Sequence, residues 1–287
     1  MPGKTSNAFS LVGLLALLAA SPAGAQLARA NAAGVAMGHL HYVVRDVEAN
    51  KRFWLALGGE PKRFGATEVV SFPDVLVFLR EGESSGGTEG SVVNHVAFRV
   101  RSVAAIEAAG FEVTHLEAYP GVAYVYTPEG ERIELFDDVL ATNLDFTPAG
   151  PTSEPSVERH NRNIEVPIIA HHVHLHVPED QIVAAQDWYA AHFGGVAGKR
   201  WRYDATDFPG INLNFSAAPG PVAGTRGRML DHIGFEVENL AALCETLEAR
   251  GIEFDRPYSR LESGLGLAFL TDPWGTYIEL TEGLREL

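Results

Sequence analysis

Histidine and glutamate recur in this sequence at places where they could work together. His39 and His41 open one apolar segment, and His172, His174 and His176 open another. His95 and His232 each begin a stretch of the form His, aliphatic, small, Phe, while Glu134 and Glu279 each sit between an Ile and a Leu. Imidazole nitrogens and carboxylate oxygens are donors for Fe(II), Mn(II), Zn or Ni, and a site with few protein donors keeps positions open for substrate and water. The competing reading is a set of satisfied polar residues lining a metal-free pocket for a small molecule.

The elements that would position these residues follow from alternation along strands. His39, His41 and Val43 share one face of their strand, opposite Leu40, Tyr42 and Val44; His172, His174 and His176 lie opposite Val173, Leu175 and Val177. His95, Ala97 and Arg99 oppose Val96, Phe98 and Val100, and His232, Gly234 and Glu236 oppose Ile233, Phe235 and Val237. Each polar set falls on the face away from the expected helices, so a curved sheet would gather it into a cavity.

These strands belong to an internal repeat. Residues 37–138 and 168–283 read alike: an opening strand, a helix ending in Gly58-Gly59 or Gly194-Gly195, a Phe-Pro pair (Phe72-Pro73, Phe208-Pro209), and a strand over 75–79 or 211–215. A second strand–helix passage follows, with Ser102 and Asn239 as expected helix caps and Gly110 and Gly251 as stops. Each segment is thus two copies of a strand–helix–three-strand unit. Residues 26–36 form an N-terminal extension, and the Pro-rich stretch 139–167 reads as a linker. The pairs Phe53-Trp54 and Trp188-Tyr189 fall at helix spacing and are expected in the core.

Composition bounds the function. A formal net charge of -15 over 287 residues argues against nucleic acid or an anionic membrane surface as partner. Lys4, the apolar run Phe9 to Ala20 and the small residues Ala23 to Ala25 read as a signal peptide over 1–25, predicting export to the periplasm or medium. That run is too short to serve as a stable membrane anchor. The single cysteine, Cys244, shares a helical stripe with Leu240 and Leu247 and is read as buried packing.

The opening His, the mid-segment His before its Phe, and the closing Gly-x-x-Ile-Glu-Leu strands resemble the vicinal oxygen chelate superfamily of glyoxalases, bleomycin-resistance proteins and extradiol dioxygenases. The resemblance implies an α+β fold of tandem modules, each of paired βαβββ units in an open eight-stranded curved sheet around a divalent metal. It also implies His39, His95 and Glu134 as ligands in the first module and His172, His232 and Glu279 in the second. Whether a site closes within one module or is shared between units stays open, because exchanging units conserves the ligand types. His41, His174 and Asn212 are candidate pocket residues, and Arg99 on the cavity face would suit an anionic substrate.

Three activities compete for this framework. A glyoxalase-like lyase or isomerase supplies a fourth ligand from the strand after Phe-Pro, where Leu76 and Asn212 are expected to stand. An extradiol-type dioxygenase needs three protein ligands on Fe(II) or Mn(II); the passage His115, Tyr124, Pro128 and Glu134 approaches its signature, with His115 and Tyr124 as substrate-contacting catalytic residues. No histidine lies between residues 42 and 94, or between 193 and 231, for the acid/base role such enzymes place before the second ligand strand. A small-molecule sequestering protein is the third reading, and retained ligands in both modules argue against it. The resemblance leans to oxygenase chemistry on a small substrate, with a homodimer among the assemblies open to such a chain.

Overall fold

Helices arise where capping side chains meet apolar stripes, and strands where the two-residue alternation runs. The computed structural model describes residues 26–65, 67–152 and 163–286; the expected signal peptide lies outside them. Unit one comprises β1 (Val35–Val44), α1 (Val47–Ala56), β2 (Glu60–Phe64), β3 (Thr67–Phe72) and β4 (Val75–Glu81). Unit two comprises β5 (Val93–Val100), α2 (Val103–Ala108), β6 (Thr114–His115), β7 (Val122–Tyr126) and β8 (Arg132–Asp137). After β9 (Phe146–Pro148), unit three runs through β10 (Ile168–Val177), α3 (Ile182–Phe193), β11 (Val196–Arg200), β12 (Tyr203–Phe208) and β13 (Ile211–Ala217). Unit four is β14 (Leu230–Val237), α4 (Leu240–Ala249), β15 (Phe254–Arg260), β16 (Gly266–Thr271) and β17 (Tyr277–Glu282). Asp46, Ser102 and Asn239 accept backbone N–H groups at the starts of α1, α2 and α4.

The units assemble into two open, curved mixed sheets whose composition crosses the two sequence segments. One sheet runs β15-β16-β17-β14-β1-β4-β3-β2, joining unit four to unit one; the other runs β6-β7-β8-β5-β10-β13-β12-β11-β9, joining unit two to unit three. In the first, antiparallel β1 and β14 set His39 opposite Gly234 and His41 opposite His232. In the second, β10 and β5 set His172 opposite Ala97 and His174 opposite His95. Both junctions carry an irregularity just before the first ligand, at Gly38 and at His171. Each sheet therefore has an approximate internal twofold relating its two units.

The helix-facing sides of both sheets meet in one apolar core. Trp54, Phe98, Tyr189 and Phe235, one from each unit, are buried in a continuous cluster. Cys244 is buried there as expected, and burial pushes its thiol up to about 11. The linker contributes more than a connection. Phe146 is buried against Ala205, and β9 pairs with β11, where a side chain at Gly198 would meet the Thr147 carbonyl at 2.3 Å. Among the described residues no helix is long and apolar enough to cross a membrane.

Candidate metal centres

The crossed sheets regroup the expected ligands. Glu279 Oε2 lies 2.9 Å from His39 Nε2 and 2.9 Å from His232 Nε2. Glu134 Oε2 lies 3.1 Å from His95 Nε2 and 3.4 Å from His172 Nε2, and the two imidazole nitrogens are 3.2 Å apart. The sets are thus His39/His232/Glu279 and His172/His95/Glu134: the expectation named all six residues, but His39 and His172 exchange places relative to the sequence modules. Alternation cannot choose between four similar units, whereas strand pairing at β1–β14 and β10–β5 does. His41 lies within 4.8 Å of the first set, and His174 joins His95 and His172 within the same span.

The residues fit a divalent cation. Donors held about 2.0–2.2 Å from one ion at tetrahedral to octahedral angles stand roughly 3.0–3.5 Å apart, and the His95/His172/Glu134 triangle has edges of that size. Asp231 Oδ1 lies 2.6 Å from His232 Nδ1, and Asn94 Oδ1 lies 2.8 Å from His95 Nδ1. These oxygens accept the Nδ1 protons, which leaves each Nε2 lone pair turned to the carboxylate. Acceptors facing acceptors need a shared cation or proton between them. Arg132 fixes Asn94 by donating to its Oδ1 at 2.7 Å. The His39 ring lies over Gly234, where a side chain would meet ring atoms at 2.0–2.5 Å.

Electrostatics prepare the same chemistry. Burial foremost, then the neighbouring cationic groups, hold His172 and His174 well below the usual imidazole value, and His41 falls to about 3 for similar reasons. These imidazoles are neutral at pH 7 and can donate lone pairs. Burial opposes ionisation of Glu279, yet with protons in place of a cation the hydrogen bonds from His232 and His39 outweigh it and hold the carboxyl below its ordinary range. Burial would lower His232, but its bonds to Asp231 and Glu279 together raise it.

The remaining candidates divide. Tyr124 lines the second cavity, hydrogen-bonds Glu134, and has its phenol raised, chiefly by burial. His174 lies 2.8 Å from Ser216 Oγ, within the same cavity wall. His115 is exposed and paired with Glu107 at 2.8 Å, away from either centre, so its expected catalytic role is corrected: β6 is a two-residue edge strand that turns it to solvent. Arg99 is buried in an ion pair with Asp138 rather than offered to a ligand. Asn212 donates to Asp207 at 3.3 Å and does not line the cavity.

The fourth-ligand position also moves. Glu279 stands beside Gly234 and Glu134 beside Ala97 in the parallel strand pairs. The twofold counterparts of Gly234 and Ala97 are His41 and His174, whose neighbours on β4 and β13 are Phe78 and Asn214, not Leu76 and Asn212. Neither centre has a carboxylate there. Sequence reasoning also passed over Asn94 and Asp231, which precede the two ligand histidines in parallel, and His171, which the β10 irregularity places 3.0 Å from His172 Nδ1. It missed Arg200 as well, buried in the wall of the second cavity.

Comparison with known proteins agrees with this architecture. Residues 168–280 match the family model of the Glyoxalase/Bleomycin resistance protein/Dioxygenase superfamily. Glyoxalase I from Zea mays superposes with a TM-score of 0.58 at 15% identity, covering 88% of this chain and 94% of that one. A Bacillus subtilis protein provisionally described as a dioxygenase superposes at 0.56 with 14% identity, covering 90% and 86%. The described chain therefore has the tandem fold of these proteins. A comparison with curated proteins finds no match.

Proposed function

We propose that the chain is an exported, metal-dependent oxygenase of the extradiol type, acting on a small substrate held through adjacent oxygens. The observation that carries this reading is the three-donor set, two imidazoles and one carboxylate, with Phe78 and Asn214 where a fourth carboxylate would stand. A cation of the Fe(II) or Mn(II) type, when bound, supplies Lewis acidity and open coordination positions.

The protein's own residues do the rest. His39, His232 and Glu279, and equally His172, His95 and Glu134, orient the donors from rigid strands. His174, neutral and 2.8 Å from Ser216 Oγ, can take the proton of a substrate hydroxyl at Nε2 and share it with that side chain. His41, 4.5 Å between ring centres from His232, occupies the matching place in the other centre. These two histidines answer the missing acid/base: each arrives on the opening strand of the partner unit. Phe78, packed against His39 and His41, gives the first centre an apolar wall.

A glyoxalase-like isomerase is the second reading, favoured by His41 lying close enough to the other three donors to act as a fourth ligand. Metal analysis of anaerobically purified protein, followed by trials with catechols and with hemithioacetals, separates the two. Iron or manganese with oxygen uptake is expected. Nickel or zinc with isomerase turnover would favour the second reading, and a protein that retains no metal would overturn both.

A further inference from the structure

The two centres differ in a paired way that the twofold makes visible. Phe64 closes β2 opposite Thr67, and Arg200 closes β11 opposite Tyr203. Phe64 and Arg200 each lie eight residues before the Phe of the Phe-Pro pair, and Phe78 and Asn214 each lie six after it. Unit one therefore brings two phenylalanines to its centre where unit three brings an arginine and an asparagine. The cavity at the first centre is about 520 Å³, with Phe64, Phe78, Leu261, Leu265 and Leu284 in its wall and the solvent-exposed Arg80 and Glu81 also bordering it. The cavity at the second is about 210 Å³, with Arg200, Tyr124, Tyr203 and Asn143.

Arg200 is 1% exposed, its hydrogen-bond partners among the described residues are neutral, and Glu134 acts on it only through space, from beyond ion-pair distance. Its Nε donates to Asn214 Oδ1 at 3.2 Å and its Nη1 to the Asn143 carbonyl at 2.8 Å, while the guanidinium faces the rings of Phe136 and Tyr203 at 5.4 and 6.0 Å. No described carboxylate lies within ion-pair distance of it. A buried guanidinium without a carboxylate is costly unless an anion completes it, and guanidinium geometry matches a carboxylate fork. Asn214 ties this guanidinium to the fourth-ligand position, immediately beside the donor triangle.

We propose that the two centres are specialised, the Arg200 centre for small carboxylates bearing an oxygen on the adjacent carbon and the Phe64/Phe78 centre for larger, neutral, apolar ligands. This rests on the metal-centre reading above. One carboxylate oxygen and the adjacent oxygen face the donor triangle, and the second carboxylate oxygen meets Arg200. A cavity of 210 Å³ is below the roughly 300–1,000 Å³ of drug-sized ligand sites, which keeps the acid small.

The test is calorimetric titration of Mn(II)-loaded protein with mandelate and with its neutral relative 1-phenylethane-1,2-diol. In Glu279→Ala, which keeps only the Arg200 centre intact, mandelate is expected to bind roughly ten- to a hundredfold more tightly than the diol, the range of a charge-assisted pair. In Glu134→Ala, which keeps only the other centre, that preference should vanish. Arg200→Met in the Glu279→Ala background should abolish the preference with diol affinity retained. Should Arg200→Met fail to fold, the contrast between the two glutamate variants still decides the proposal. Equal affinity for acid and diol at the Arg200 centre, with manganese bound, overturns the specialisation and leaves the metal reading standing. Arg200-dependent mandelate binding by protein that takes up no manganese supports the anion subsite and overturns the metal reading instead.

Discussion

His39 and Glu279 are separated by 240 positions in the chain, yet His39 Nε2 lies 2.9 Å from Glu279 Oε2. His95, which belongs to the same sequence segment as His39, makes its equivalent contact with Glu134 in the other sheet. The centres are therefore built from the outer units together and the inner units together.

Metal stoichiometry should follow that pairing. His39→Ala and Glu279→Ala are each expected to lose about one of two bound metal equivalents, and the double variant should lose no more, since both remove donors from one centre. Combining His39→Ala with Glu134→Ala should empty both. Elemental analysis after gel filtration reads this directly, and an additive loss for His39→Ala with Glu279→Ala would contradict the shared centre.

Phe78 holds the place that is twofold-related to Glu279. Phe78→Glu should add a fourth donor to the first centre. We expect zinc or nickel retention to rise roughly ten- to a hundredfold, the scale on which ligand environment tunes affinity, and oxygen-dependent turnover at that centre to fall. Competition against a chelator and oxygen-electrode assays measure the two effects.

Neither sequence segment should fold alone. Residues 26–152 would lack the β14 and β10 partners that pair with β1 and β5, exposing apolar strand faces and long unpaired edges. Circular dichroism of each half should show no cooperative melt, and co-expressed halves should recover both the transition and the metal. A cooperative melt from either half on its own would sink this expectation.

Stability of the metal-free protein should fall in acid. His41 has an ordinary value near 6.5 when unfolded and about 3 when folded, so between those limits the unfolded chain binds more protons and stability drops as pH drops. Glu279, held low, acts in the same direction below its ordinary range; His232, raised, opposes it. The His41 contribution amounts to about 3 kcal/mol between pH 6.5 and 4. His41→Phe should flatten the profile of denaturant midpoints by a comparable amount, and an unchanged slope would count against the assignment.

The residues themselves narrowed the candidate donors. Two-residue alternation and the internal repeat fix which side chains face away from the helices, and among those the resemblance to the superfamily singles out His39, His95, Glu134, His172, His232 and Glu279 as candidates. Phe53, Trp54, Tyr189 and Cys244 were legible for the same reason, since helical stripes state their own burial, while Trp188, also expected in the core, is half-buried at its edge. Tertiary structure alone decided the partners, because four similar units present strand edges that alternation cannot tell apart. It withdrew His115, which a two-residue edge strand turns to solvent, and Arg99, which Asp138 claims. It also brought in Arg200, which β12 and β13 separate from the His172 strand within the sheet and which nevertheless lines the same cavity as His95, Glu134 and His174. Local periodicity is a property of neighbouring residues, whereas coordination and charge pairing depend on distances that only the assembled sheets set.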